Sequence, residues 1–288
     1  MRVAVLGASG FVGSALVEAL GGAHEVVAVA RRAGSDANVE WVAADLTRES
    51  EAVRALAGAD VVVHLVHSLG QPDYERRDVA IAENVAVAAE AAEVSQIVYL
   101  GGLGDESADL SRHLRSRHET GRALARGSVP VTTVRAGVVV GRGSAAFETI
   151  VALVDRLPAM ICPRWVSVPT QPIALRDVVS ALAGVVGLER AHGETYDIGG
   201  PEVMTYREMI DRIARVRGKH PLIVEVPVLT PRLSSWWLHL VTPVKASVAR
   251  PLIDGLRNPT VAQDDRIHEL VPLPATSFDD AVREALAD

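Results

Sequence analysis

Along the first 140 residues, short runs of β-branched apolar residues alternate with alanine-rich stretches. Val3–Leu6, Val26–Ala30, Val61–Val66, Ile97–Leu100 and Val131–Arg135 are nearly continuous in apolar character. Such runs suit strands buried on both faces, as in a parallel sheet. Between them, Val12–Leu20, Glu49–Leu56, Arg77–Glu93 and Leu110–Arg126 have helix-forming composition. Parallel neighbours need right-handed helical crossovers, so the pattern predicts an α/β fold with a doubly wound parallel sheet.

The second half reads differently. Pro158, Pro163, Pro169 and Pro172 punctuate Arg156–Ile173, which is expected to be loop with short extended pieces. A helix is expected at Leu175–Leu188, followed by the turn Ile198-Gly199-Gly200-Pro201. Another should cover Tyr206–Arg217, with Thr205 as N-cap and Glu208 at the capping-box position. Leu222–Asn258 is broken by prolines and carries Trp236-Trp237, and a last helix is expected near Phe278–Leu286. The division is therefore a core over residues 1–140 and a smaller C-terminal part over 141–288 that can exchange elements with it.

Chemistry enters at Gly7-Ala8-Ser9-Gly10-Phe11-Val12-Gly13, which follows the first strand directly and opens the first helix. Gly7 permits the tight turn, Gly10 lets the backbone approach a pyrophosphate, and Gly13 lets the helix pack against the sheet. The helix N-terminus then presents N–H groups to the anion, with Ser9, Phe11 and Val12 around it. A plain strand–helix turn would not require three glycines at this spacing. The second strand ends Val29-Ala30-Arg31-Arg32, where an acid would bind the ribose hydroxyls of NAD. A guanidinium pair instead suits the 2′-phosphate of NADP, so NADP(H) is the preferred cofactor and NAD(H) the alternative.

Composition narrows the setting without adding chemistry. The chain has 288 residues, 49% hydrophobic and 23% charged, with 29 Lys+Arg against 36 Asp+Glu and a formal net charge of −7. A mildly acidic chain has no global electrostatic reason to bind nucleic acid. The single cysteine, Cys162, cannot form an intramolecular disulfide, which fits a reducing, cytoplasmic setting. The apolar start is too short for a signal-peptide core, and no run is long enough for a membrane span. Leu233–Val241, with its tryptophans, leaves peripheral membrane contact open. His64 and His67 form an H-x-x-H, but strand geometry sends them to opposite faces, so no metal is expected and His67 is read as lining the cofactor cleft.

With these residues in place, the sequence resembles the extended and atypical short-chain dehydrogenase/reductase superfamily, nearly end to end. The G-x-x-G-x-x-G spacing, the Ala44-Asp45-Leu46-Thr47 segment, Val63–Ser68, Asn84-Val85, Arg135–Gly141, Thr170–Val178 and Tyr196–Gly200 carry the likeness. A closer similarity is to bacterial NmrA-like NAD(P)H-binding proteins. The resemblance implies a Rossmann-type core with a small C-terminal substrate domain. It also implies that Asp45 meets the adenine amino group beside Leu46, that Leu65, Val66 and His67 line the cofactor, and that Asn84 is the superfamily's helix asparagine.

The family's Ser and Tyr-x-x-x-Lys are absent. His113 and Arg117 fall at the tyrosine and lysine positions, four residues apart on one helix face, and Gly101-Gly102 stands where serine is expected. A histidine titrates near neutrality and can exchange a proton, and an arginine can hold cofactor ribose or an oxyanion. The plain alternative is a basic helix face formed by Arg112, Arg115, Arg117, Arg122 and Arg126. Arg164 and Trp165 are candidate substrate contacts in an aromatic-lined pocket. The expected function is an NAD(P)(H)-dependent oxidoreductase acting on a small, apolar carbonyl-type substrate. The rivals are a non-catalytic dinucleotide-binding sensor or accessory protein and a nucleotide-sugar epimerase-like enzyme. The sequence does not fix an oligomeric state.

Overall fold

The computed structural model describes residues 1–34, 36, 39–105, 109–226 and 254–287. Its core is a seven-stranded sheet made of β1 (Arg2–Leu6), β2 (Glu25–Ala30), β3 (Glu40–Ala43), β4 (Val61–His64), β5 (Gln96–Gly102), β6 (Val131–Ala136) and β11 (Thr195–Ile198). The spatial order is β3-β2-β1-β4-β5-β6-β11, and every bonded pair is parallel. The chain thus winds outward one way from β1 and the other way from β4, leaving a crevice where the order reverses.

Helices cover both faces. α1 (Phe11–Leu20) and α6 (Leu175–Val185) pack against each other on one face, over a core that includes Val3, Val5, Leu16, Val98, Val178 and Leu182. α2 (Glu49–Leu56), α3 (Tyr74–Ala91) and α4 (Arg112–Leu124) cover the other, over Ala4, Leu6, Val62, Val85, Ile97 and Leu124. Successive side chains of a strand point to opposite faces, so the valine-rich strands feed both layers at once. That is why they read as unbroken apolar runs.

The C-terminal part builds its own cluster around Phe147, Met209, Ile213 and Phe278. Its elements are β7 (Val139–Val140), α5 (Ala145–Arg156), β8 (Ala159–Pro163), β9 (Pro169–Thr170), β10 (Ile173–Ala174), β12 (Met204–Thr205), α7 (Tyr206–Val216), β13 (Leu222–Val226) and α8 (Phe278–Leu286). The capping box at the start of α7 is formed, Thr205 and Glu208 each bonding the other's backbone N–H. Two elements of this half, β11 and α6, lie in and on the main sheet, so the chain beyond residue 140 completes the core.

Several boundaries differ from the sequence pattern. β3 and α5 were not among the expected elements, and β8 and β13 pair in parallel where mostly loop was expected. The strand expected over Val61–Val66 ends at His64, and Leu65–Ser68 continues as irregular wall at the sheet's C-terminal edge. α3 starts at Tyr74 rather than Arg77.

Buried polar groups stitch the halves together. The Gln96 side chain donates to Thr132 Oγ1 at 2.8 Å and the Val185 carbonyl at 2.9 Å, and accepts from Gly187 N–H at 2.7 Å. Asp197 pairs with Arg135 at 2.7 Å, and within the C-terminal part Asp177 accepts from the N–H and hydroxyl of Thr276. Gln96→Leu strands the Gly187 N–H without a partner, while the Val185 carbonyl keeps its bond from Leu188 N–H. We expect a loss of about 2 kcal/mol by urea denaturation, since an orphaned buried polar group costs roughly 1–3 kcal/mol. A change within experimental error would show that these bonds do not join the two halves.

Candidate functional site

A cleft of about 450 Å³ opens at the C-terminal ends of β1, β2 and β4, at the crevice where strand order reverses. Its floor is the glycine turn. Gly7 sits at φ +87°, in the left-handed region that a side chain disfavours, and a Cβ there would lie 3.2 Å from the Leu65 backbone. A Cβ on Gly13 would come within 2.2 Å of the Gly7 carbonyl oxygen, so only glycine lets the first turn of α1 fold against the strand. The N-terminus of α1 has no side-chain cap and no acid in its first turn. Its leading N–H groups have no acceptor within the helix, and together with the helix dipole they make an anion cradle. These features fit the pyrophosphate of a dinucleotide.

Around that floor the structure brings together Gly7, Ser9, Gly10, Phe11, Val12 and Gly13 from the turn with Arg31, Asp45, Leu46, Leu65, Val66, His67 and Arg117. Arg31 is exposed at the rim, and Arg32 is exposed beside it but does not line the cleft. Asp45 accepts from the hydroxyl and N–H of Thr47 and faces Arg77 across 3.6 Å. The Thr47 bonds and the nearby arginines hold its carboxyl below the usual aspartate range despite partial burial. Asn84 does not line the cleft. It donates to the Leu46 carbonyl at 2.9 Å, fixing the loop that does.

At the other end, Arg117 is buried, sits 5.0 Å over the Tyr99 ring and donates to the Leu100 carbonyl. Its Nη1 is buried without a partner. Other arginines in and just beyond α4 are taken up elsewhere: Arg112 pairs with Glu75 and Arg126 with Glu83. Arg117 therefore differs from the basic face around it. His113 does not line the cleft; its ring lies 5.2 Å from that of His67. Burial, with His67 and Arg117 beside it, pushes the His113 imidazole down to about 3. His64 is fully buried against Tyr99 and also falls to about 3, chiefly through desolvation.

Asp78 escaped the sequence reading. It is 1% exposed on α3, and its two oxygens accept from Ser68 N–H and face His67 Nδ1, each at 2.8 Å. Flanked by Arg76 and Arg77 and by Val79, it carried no local signal of burial. The side chains of Arg164 and Trp165 lie outside the described residues, as does the whole of Leu233–Val241. Cys162 is buried, and among the described residues no cluster of metal-ligating side chains occurs. No helix of the described residues is long and apolar enough to cross a membrane.

Residues 3–111 match the family described as NAD dependent epimerase/dehydratase. That N-terminal stretch is similar to the extended and atypical short-chain dehydrogenases/reductases. Among solved structures, Citrobacter sp. triphenylmethane reductase complexed with NADP(H) superposes with a TM-score of 0.78 at 20% identity, over 99% of this chain and 100% of that one. UDP-glucuronic acid 4-epimerase from Bacillus cereus, in complex with NAD, gives 0.75 at 16% identity over 99% and 97%. Among curated proteins, (4-alkanoyl-5-oxo-2,5-dihydrofuran-3-yl)methyl phosphate reductase of Streptomyces griseus is 29% identical over 75% of this chain and 74% of its own length. The mitochondrial NADH dehydrogenase [ubiquinone] 1 alpha subcomplex subunit 9 of Arabidopsis thaliana is 25% identical over 77% of this chain, which spans 60% of that protein. These neighbours share an NAD(P)-binding epimerase/reductase fold.

Proposed function

We propose that the protein is an NADP(H)-dependent oxidoreductase acting on a small, apolar carbonyl-type substrate. The observation that carries this reading is the uncapped helix N-terminus behind a glycine turn, with Arg31 on the rim of the same cleft. The turn takes the pyrophosphate, Asp45 the adenine amino group, and Arg31 with Arg32 the 2′-phosphate. Arg117, with a buried unpartnered Nη1 on the cleft wall, takes the nicotinamide ribose or a substrate oxygen. The reductases among the neighbours, one of them complexed with NADP(H), support the direction of this assignment.

A second reading, a dinucleotide-binding protein without catalysis, draws on the glycines at the end of β5 and on the respiratory-subunit relative. The two readings share the cofactor and part at turnover, which a panel of carbonyl compounds with NADPH, followed by absorbance, separates.

Replacing Arg31 and Arg32 together with alanine should weaken NADPH by about 10–100-fold in calorimetry, the worth of one or two charge-assisted hydrogen bonds. NADH, which lacks the phosphate, should change by no more than about threefold on the same arithmetic. Equal losses for the two cofactors would refute the 2′-phosphate assignment.

A further inference from the structure

The cleft wall holds a proton-handling pair that the family pattern does not contain. His67 lines the cleft, and its Nδ1 is 2.8 Å from Asp78 Oδ2. Asp78 also accepts Ser68 N–H, and its bonds to His67 and Ser68 hold the carboxyl below the usual aspartate range against the effect of burial. An ionised carboxylate only accepts hydrogen bonds, so the shared proton sits on His67 Nδ1 and leaves Nε2 as a lone pair. That Nε2 is buried and has no partner. Nor has Nδ1 of His113, whose ring is 5.2 Å away. Two adjacent imidazoles with unused nitrogens offer what a hydroxyl group needs, an acceptor for its proton, at the wall of a cleft lined by both polar and apolar side chains.

We infer that the Asp78–His67 pair replaces the missing tyrosine as the proton-exchanging group, with Nε2 of His67 as the exchanging atom and an alcohol/carbonyl oxygen as its ligand. This rests on the oxidoreductase reading above. In the oxidising direction the substrate O–H bond breaks and its proton passes to Nε2. The carbon gives up a hydride, its C–O bond becomes C=O, and His67 becomes an imidazolium facing Asp78. Reduction runs the same exchange backwards. The hydride is what a bound nicotinamide accepts or supplies. Asp78 is a positioning residue: it fixes the tautomer and stabilises the imidazolium. The other groups facing His67 are Tyr74 on α3, His113 and Arg117 on α4, and His64 on β4. Burial and Arg117 oppose protonation, and Asp78 favours it.

NMR of isotope-labelled histidines at neutral pH reads the pair without any substrate. The expected signal is a neutral His67 in the Nδ1–H form, identified by its loss in His67→Gln and displaced toward the Nε2–H form in Asp78→Asn. An Nε2–H tautomer or an imidazolium in the wild type would overturn the proposal. With phenanthrenequinone as carbonyl probe and NADPH as reductant, His67→Gln should slow turnover by about 100-fold or more, the usual worth of general acid–base catalysis. Its NADPH affinity should stay within about fivefold, less than 1 kcal/mol. His113→Asn should lose less than His67→Gln, and Asp78→Asn should shift the pH profile to lower pH. A wild type that binds NADPH without reducing the quinone, or a His67→Gln that keeps its rate, would also overturn the proposal. Absence of NADPH binding by the wild type would instead refute the oxidoreductase reading, and the NMR experiment would still decide the pair.

Discussion

Gly13→Val is expected to abolish dinucleotide binding and to destabilise the fold together. A Cβ at this position lies 2.2 Å from the Gly7 carbonyl oxygen and 2.9 Å from the Ala8 Cα, both backbone atoms of the turn itself. Neither can move without reopening the turn, because Gly7 N–H and Ala8 N–H are bonded to the Val29 carbonyl at 2.9 and 3.2 Å. The helix must retreat, and the N–H groups that face the cleft retreat with it. Overpacking of this kind costs roughly 1–3 kcal/mol in stability. The displaced anion cradle should weaken NADPH by more than about 100-fold, or about 2.7 kcal/mol. Gly10→Ala separates the two effects, since its Cβ would meet only the Gly7 carbonyl, at 3.1 Å. It should keep most of the stability and lose affinity. If Gly13→Val bound NADPH as the wild type does, the turn would not be the anion site.

The second large effect is acid instability. His64 is fully buried with both ring nitrogens unpartnered, and it stays neutral down to about 3 in the folded protein. In the unfolded chain a histidine protonates near pH 6.5. Protons therefore bind the unfolded state more readily, and stability falls as the pH drops below about 6.5 and continues to fall toward about 3. Between about pH 7.5 and about pH 5, this one residue should remove about 2 kcal/mol. His113, also lowered to about 3 chiefly by burial, adds a contribution of the same sign. Urea denaturation of wild type and His64→Phe at the two pH values isolates the contribution. The stability difference between them should move by about 2 kcal/mol in favour of the variant at low pH. A difference that does not change with pH would contradict a buried neutral His64.

The cleft floor was legible because its determinants are local. Three glycines at fixed spacing between an apolar run and a helix specify one backbone shape, and the structure builds that shape. β1, β2, β4, β5 and β6 were legible because strands buried on both faces cannot hide their apolar character. β3 was not, because Glu40–Ala43 forms an edge with no fully buried residue. β11 was missed as a sheet strand because Thr195–Ile198 has polar members: Asp197 is buried beneath Arg135 and Thr195 pairs with Thr133. The proton-handling corner could not be read from neighbouring residues at all. Asp78 looks like one more charge in a charged helix turn until the fold places it under His67. Likewise Arg117 is one arginine among several until its neighbours are seen paired with α3 and it alone reaches the cleft wall.

A cleft built for a nicotinamide dinucleotide should bind one in solution. Calorimetric titration of the wild-type protein with NADPH and with NADH tests it most directly. Saturable binding of one molecule per chain is expected, tighter for NADPH and lost in Gly13→Val. Heats indistinguishable from dilution for both cofactors would contradict the account.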